Sequence, residues 1–194
     1  MHDATHPTTE ELHHATVTLD FSPGVLGSDY KNQTCSMAAA LEVVGERWSL
    51  LILRDVMLGL RRFDQLQADL GVARNVLQAR LSRLVDAGVL EKRLYQERPA
   101  RFEYRLTDKG LDLWPVLVAL LQWGDKYAAP DGPPVLLVHK QCGGPVDDHR
   151  ICAKCGQRLT ARDVRVSPGP GVDPAAFWPA LRRGSADLAP TTAH

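Results

Sequence analysis

The chain has 194 residues, 44% of them hydrophobic, which is enough for one ordinary core and a small appendage but not for two full-sized domains. Its 23 basic and 23 acidic residues cancel, so any argument for nucleic acid must come from local clusters of charge. No apolar run approaches the roughly 20 residues that cross a bilayer, and the start of the chain does not resemble a signal peptide, so we expect a cytoplasmic protein and no membrane partner.

The first third of the chain changes from an irregular to a helical pattern. Residues 1–34 hold few apolar side chains, and we expect a flexible N-terminal arm. From Cys35 apolar residues recur every three or four positions as far as Gly45, which predicts a short first helix. A second segment, 47–58, is apolar on most sides, as in a helix buried within a domain.

The next elements predict a helix-turn-helix followed by a hairpin. A third short helix covers 63–70 and a fourth covers 73–87, each closed by a glycine. Alternation of inward and outward side chains over 89–96 and 101–106 predicts two strands joined by a turn. Two short helices followed by such a hairpin form a winged helix-turn-helix, in which the second helix of the pair enters the major groove. The predicted fold class is therefore mainly α with a small β-hairpin wing.

The outward face of the fourth helix is the predicted DNA-binding surface. With its leucines inward, the helix presents side chains that pair with base edges. Eight basic residues stand against four acidic ones between Ala73 and Arg105, a local excess that suits phosphates. The alternative is a solvated face, or a module that binds RNA or a protein partner. The candidate DNA-binding residues are Arg74, Asn75, Gln78, Ala79, Arg80, Ser82 and Arg83 on the helix, and Arg98 and Arg101 at the wing tip.

The segment after the wing predicts a subunit interface. Thr107 is a suitable cap for a helix that we expect to run to Tyr127, with Pro115 either bending it or marking the end of its first turns. This helix carries more apolar side chains than one small core can cover. We therefore expect a second copy of the chain to cover them, giving a homodimer with a domain that spans 35–128.

The C-terminal cysteines predict a structural zinc site. After a linker at 129–134, the pattern of ligand, two residues, cysteine and glycine occurs twice, and two such knuckles supply four tetrahedral ligands. The repetition favours His139 over His149. An empty reduced cluster or a redox-active cysteine pair are the alternatives. The zinc-ribbon-like segment is expected over 135–165 and a largely disordered tail over 166–194. The predicted ligands are His139, Cys142, Cys152 and Cys155.

Four ordered motif blocks, spread over about 35–127, resemble those of the HxlR family of bacterial regulators, which are relatives of the MarR group. The resemblance implies a dimeric DNA-binding transcriptional regulator, often a repressor, whose first and last helices pair the subunits on a near-palindromic operator in the nucleoid. The blocks are Gly45-Glu46-Arg47-Trp48-Ser49 with Ile52-Leu53; Gly59 with Arg62-Phe63 and Leu66; Leu77 with Arg80-Leu81, Leu84 and Gly88; and Pro99 with Arg101-Phe102-Glu103-Tyr104, Leu106-Thr107 and Gly110.

Two positions bear on how this resemblance applies. Ala73 stands where the family commonly has a serine before the recognition helix, so Arg74 is expected to take over phosphate positioning. Cys35 stands where some relatives carry a thiol that responds to oxidants or electrophiles, and the alternative is a packed residue in the dimer seam. A small-molecule or oxidant effector is therefore expected. No nucleophile, carboxylate pair or phosphate-binding loop suggests an enzyme.

Overall fold

The computed structural model describes residue 30 and residues 33–172, and this part of the chain forms a winged helix-turn-helix followed by a small β module. No helix within it is long and apolar enough to cross a membrane. The predicted fold class, with its helices, hairpin and C-terminal appendage, is confirmed. The elements are α1 Ser36–Val44, α2 Ser49–Met57, α3 Phe63–Leu70, α4 Arg74–Asp86, β1 Leu90–Gln96, β2 Arg101–Leu106, α5 Asp108–Leu111, α6 Trp114–Tyr127, β3 Val135–His139 and β4 Val164–Pro168.

The main core lies among α2, α3 and α4, and it fixes the orientation of α4. The three inward leucines of α4 are fully buried, each contributing about 1.5–3 kcal/mol relative to exposure. Because successive residues advance by about 100°, the opposite side of α4 must face outward. The fully buried leucines and isoleucine of this core are Ile52, Leu53, Leu60, Leu66, Leu77, Leu81 and Leu84.

Glycines end the two helices of the helix-turn-helix, as the sequence predicts. Gly71 follows α3 with φ 60°, and Gly88 lies just past α4 with φ 68°. This left-handed conformation favours glycine, which has no Cβ to clash. The second helix differs slightly from expectation, because residues 46–48 form a turn and α2 begins at Ser49.

The wing is an antiparallel hairpin, and one further backbone contact joins it to the segment before α3. β1 and β2 pair from Leu90↔Leu106 outward, with a bulge between Leu94 and Gln96. The backbone N–H of Tyr104 donates to the carbonyl of Arg61 at 2.7 Å, which joins the segment before α3 to β2. The segment that makes this contact is too short to show the alternating pattern of a strand, so the sequence does not predict the contact.

The expected single helix over 107–127 is wrong, because two helices occupy this region. α5 ends at Leu111, and α6 begins at Trp114 with Pro115 in its first turn. Proline has no N–H to donate and fits the first turn of a helix, so it marks the start of the new helix. The predicted cap at Thr107 is confirmed, since its Oγ1 accepts from the N–H of Gly110 at 3.2 Å.

The C-terminal module spans 135–168 and is called the ribbon below. β3 and β4 pair antiparallel from Val135↔Pro168 to His139↔Val164. β4 passes the predicted boundary at residue 165, so residues 166–168 belong to a strand and not to the tail. Residues 169–171 also bond to the predicted linker, the N–H of Gly169 donating to the carbonyl of Pro134 at 3.0 Å. The rest of the predicted tail, and nearly all of the predicted arm over 1–34, lie outside the described residues.

Candidate nucleic-acid interface and metal centre

The outward face of α4 carries most of the side chains that the sequence assigns to base contacts. Asn75, Gln78, Ala79 and Ser82 are all exposed. At the start of the helix Ala73 provides no side-chain cap. The exposed Arg74 instead places its guanidinium over the Phe63 ring, 4.8 Å from the centroid. This contact holds the arginine at the helix N-terminus, where a phosphate would approach.

Two other predicted residues of α4 are bound to acidic partners within the chain. Arg80 Nη2 lies 2.8 Å from Glu46 Oε2, and Arg83 Nη2 donates to the backbone carbonyl of Glu42 at 2.8 Å. Arg83 also lies 3.6 Å from the second Glu46 oxygen. These contacts tie α4 to the end of α1 and the loop after it. They give Glu46, part of the first motif block, a role that the sequence did not predict.

The wing tip holds two arginines, Arg98 and Arg101, and one acidic residue, Glu97. Arg98 and Arg101 are exposed and form no ion pair within the described part of the chain. Further along the strands Arg93 and Arg105 each lie 2.6 Å from a glutamate, Glu91 and Glu103 respectively. The tip therefore carries a net positive charge, and the wing is a part of winged helices that can reach the DNA backbone.

Cys35 immediately precedes α1 and is exposed. The backbone N–H groups of Ala38 and Met37 point toward its sulfur and lower the pKa of the thiol below its usual value. Thiolate is the form that attacks oxidants and electrophiles. The thiol is therefore accessible and ionises more readily than an ordinary cysteine.

Apolar side chains form an exposed stripe along α6. The stripe runs from Val116 through Leu120 and Trp123 to Tyr127. These residues stand four, three and four positions apart, so they share one face of the helix. Trp123 is 61% exposed, and its ring lies 5.4 Å from that of Tyr127, which is also exposed. Met37 and Leu41 of α1 are exposed as well.

The ribbon brings together the four residues predicted to bind zinc. Their ligand atoms all lie within 4.8 Å of one another. His139 Nδ1 is 3.2 Å from Cys142 Sγ and 3.4 Å from Cys155 Sγ, while Cys142 and Cys152 sulfurs are 3.3 Å apart. Zinc–sulfur bonds of about 2.3 Å place two bound sulfurs about 3.8 Å apart, so the Cys142–Cys152 pair would have to widen slightly to admit the ion. The cluster can hold a metal ion.

The backbone of the two knuckles repeats as the sequence pattern predicts. Gly143 and Gly156 both have positive φ, and each donates its N–H at 2.8 Å to the first residue of its knuckle, His139 or Cys152. Burial alone would raise the pKa of Cys152, but N–H groups of Cys155 and Lys154 bring it down to about 6. A thiolate at neutral pH is the form that binds a metal.

The metal cluster also belongs to a second small core that includes α6. Cys152 and Leu159 of the ribbon are buried in one cluster with Trp114 and Val118 of α6. A hydrogen bond from Gln122 Nε2 to the carbonyl of Asp147, 2.9 Å long, reinforces this contact. His139 Nε2, on the far side of the ring, is buried and has no partner among the described residues. The ribbon is therefore packed against the helix that carries the exposed stripe.

Comparison with known proteins agrees with this geometry. The HxlR-like helix-turn-helix family matches residues 43–132. An uncharacterised HTH-type transcriptional regulator of Mycobacterium tuberculosis, Rv3095, is 50% identical over 137 residues, which cover 70% of this chain and 87% of the relative. The chain belongs to the HxlR family. Its members are transcriptional regulators, and the helix-turn-helix is the DNA-binding element of the HxlR fold.

One solved structure is similar to this chain over more than the matched domain. The crystal structure of PA1607, a candidate transcription factor, is 46% identical and has a TM-score of 0.56, covering 71% of this chain and 96% of that one. A second candidate transcription factor, PA1374 from Pseudomonas aeruginosa, is 40% identical with a TM-score of 0.44 and covers 74% of this chain and 98% of that one. The region shared with PA1607 is longer than the HxlR domain at 43–132.

Proposed function

We propose that this HxlR-family regulator is a sequence-specific repressor that binds a near-palindromic operator as a homodimer. The observation that carries the proposal is the combination of polar side chains on the open face of α4 with exposed arginines at the wing tip. The polar side chains of α4 read base edges in the major groove, and the arginines of the wing tip hold phosphates. The proposed base-reading residues are Asn75, Gln78, Ala79 and Ser82, with Arg74, Arg98 and Arg101 on the backbone.

Arg80 and Arg83 have a different place in this proposal. Both guanidinium groups are already bound to Glu42 or Glu46. To contact a base or phosphate they would have to exchange a carboxylate partner for DNA, which reduces the net gain. Their contribution is therefore to orient α4 and, through its flank, to make secondary contacts with the backbone.

The homodimer is supported by the exposed stripe on α6 and the exposed apolar residues of α1. Several large apolar side chains on one face cost free energy when left in water, and a second copy offers the same surface in a self-complementary arrangement. Two wings and two α4 helices related by a twofold axis would then meet half-sites about 34 Å apart, one turn of DNA.

A structural zinc ion completes the proposed molecule. Three thiolates and one imidazole leave no open position, so the ion would stabilise the ribbon and would not catalyse a reaction. His139, Cys142, Cys152 and Cys155 would hold it. Such an ion would contribute to the stability of the ribbon, because this module has little core apart from the one that it shares with α6.

The selection of bound duplexes from a random pool tests the proposed function. A regulator of this kind should enrich one palindrome, and its affinity should fall steeply as salt rises. Enrichment of no sequence, or equal affinity for every duplex, would contradict sequence-specific binding and favour a module that binds RNA or protein. Enrichment of a single half-site would contradict the dimer alone.

A further inference from the structure

A cleft of about 440 Å³ lies between the α5–α6 junction and the ribbon, a size typical of small-molecule sites. One wall comes from residues 108–115 and the other from Arg150 and residues 158–162. Among the described residues that line it, none is a candidate metal ligand and none belongs to the DNA-binding face. The cleft is thus separate from both sites described above.

The lining combines an apolar floor with an excess of guanidinium groups. Trp114 and Leu159 form the floor and are almost fully buried. Arg162 is compensated by Asp108, 3.4 Å away, in a pair that is highly exposed. Arg150 and Arg158 have no ion-pair partner in the described part of the chain. Asp112 is the remaining acidic residue, so the cleft carries net positive charge.

The backbone at Arg150 has an unusual conformation. Its φ of 61° lies in the left-handed region, which arginine rarely adopts and which glycine or asparagine would occupy at lower cost. The turn around it is held in place: Asp147 Oδ1 accepts from the N–H of Ile151 at 2.7 Å, and Gln122 of α6 binds the carbonyl of Asp147. These contacts hold the turn, and with it the backbone that carries the Arg150 side chain at the edge of the cleft.

Arg150 and Arg158 also lie on adjacent backbone segments. The N–H of Leu159 donates to the carbonyl of Arg150 at 2.8 Å, which fixes the spacing of the two segments. Two guanidinium groups on adjacent segments can bind one acid group together, since each offers several N–H donors. The N-terminus of α6, which is the positive end of the helix dipole, lies in the same wall and adds to the positive potential of the cleft.

We infer that this cleft binds a small organic anion, a carboxylate or sulfonate on an apolar body. Arg150 and Arg158 take the acid group, and the body rests on the floor formed by Trp114 and Leu159. Because one wall belongs to the α5–α6 junction and the other to the ribbon, the bound anion holds the two together. Only an effect of this anion on operator affinity rests on the proposed function; the binding itself does not.

The test uses the full-length, metal-loaded protein without DNA. Acids are compared with their neutral amides by calorimetry: phenylacetate with phenylacetamide, hexanoate with hexanamide, and benzenesulfonate with benzenesulfonamide. We expect at least one acid to bind about tenfold or more tightly than its amide, because charged hydrogen bonds are the stronger ones. Arg158→Ala should weaken that acid by a similar factor, and Arg165→Ala, an exposed arginine of the ribbon outside the cleft, should not.

A further variant tests the sign of the charge. Asp112→Asn removes the remaining carboxylate from the cleft and should strengthen binding of the acid. Weaker binding in this variant would overturn the inference, because removal of a negative charge should not weaken binding of an anion that the positive charge of the cleft attracts.

Three other results would also overturn the inference: no acid of the set binds, an acid and its amide bind equally, or Arg158→Ala leaves acid binding intact while lowering affinity for duplex DNA. The last would assign the arginines to phosphates of DNA. Failure to bind any operator, with acid binding retained, would contradict the proposed function and leave the cleft as assigned.

Discussion

The thiol of Cys35 shows how nearby backbone N–H groups change the ionisation of a side chain. Because N–H groups of Ala38 and Met37 lower its pKa, we predict that iodoacetamide alkylates Cys35 with a pH midpoint below that of the same thiol in the urea-unfolded protein. Mass spectrometry of the peptide containing Cys35 gives both profiles. Identical midpoints would contradict the prediction, and Cys35→Ser with an unchanged oxidant response of DNA binding would exclude a sensor role.

Asp55 is a second residue whose ionisation depends on its surroundings. It is fully buried in α2, and burial raises the pKa of its carboxyl to about 7 even though the Arg54 guanidinium lies 2.7 Å away. The folded state therefore keeps a proton that the unfolded state loses near pH 4. It follows that the stability due to this proton is present at pH 4 and is lost as pH rises toward 7.

We predict that Asp55→Asn reverses this loss. The free energy of unfolding of the native protein should fall between about pH 4 and pH 7, by at most about 1.4 kcal/mol per pH unit, and the variant should lack this slope. Urea denaturation at pH 5 and pH 8 checks the sign: similar stability at pH 5 and a more stable variant at pH 8. A variant that is less stable at pH 8 would show that the ionised carboxylate is the stabilising form.

At the scale of elements, α4 and the wing have separable roles, and substitutions should distinguish them. We predict that Gln78→Ala costs about 1–3 kcal/mol at the selected operator and relaxes the preference at one base pair. Arg98→Ala should weaken all duplexes alike and lower the slope of log affinity against log salt by about 1. Titrations at several salt concentrations measure both. A uniform loss from Gln78→Ala, or a sequence-dependent loss from Arg98→Ala, would reverse these assignments.

The elements also show where sequence patterns are informative. The exposed face of α4 was predictable, because leucines at helical spacing leave the other residues outward. The ion pairs of Arg80 and Arg83 were not, since their partners lie near the end of α1 and periodicity does not reveal contacts between helices. The break between α5 and α6 was ambiguous because proline both bends a helix and begins one, and the short β4 was hidden among prolines and glycines.

For the whole molecule, the exposed stripe on α6 should determine the oligomeric state. We predict that Leu120→Glu gives a folded monomer with greatly reduced operator affinity, because it places charges in the seam of both copies. Leu94→Glu is the matched control for the mass measurement, since Leu94 on the wing is exposed to a similar degree, 52% against 49%. Sedimentation equilibrium measures the mass. A dimeric Leu120→Glu variant, or a monomeric native protein, would place the interface elsewhere or remove it.

The metal centre gives a second prediction for the molecule as a whole. Protein purified without chelator should contain close to one zinc per chain, and removal of the ion should abolish hydrogen-exchange protection in β3 and β4 while α2–α4 keep theirs. His139→Ala should lose the metal, and His149→Ala, an exposed histidine of the same module, should retain it. Metal-free protein with a protected ribbon would contradict a structural ion. The cluster was predictable because its ligands are close in sequence, whereas the cleft is formed by distant segments and gave no pattern.

The shared core of α6 and the ribbon also has a consequence for synthesis. The ribosome releases Trp114 and Val118 well before Cys152 and Leu159, which complete their cluster. A nascent chain that has already formed its helix-turn-helix therefore still exposes one apolar side of α6 until the last module emerges. If the proposed zinc completes the ribbon, metal supply at that moment sets how long this surface stays exposed, and cells starved of zinc should lose the protein to proteolysis soon after translation.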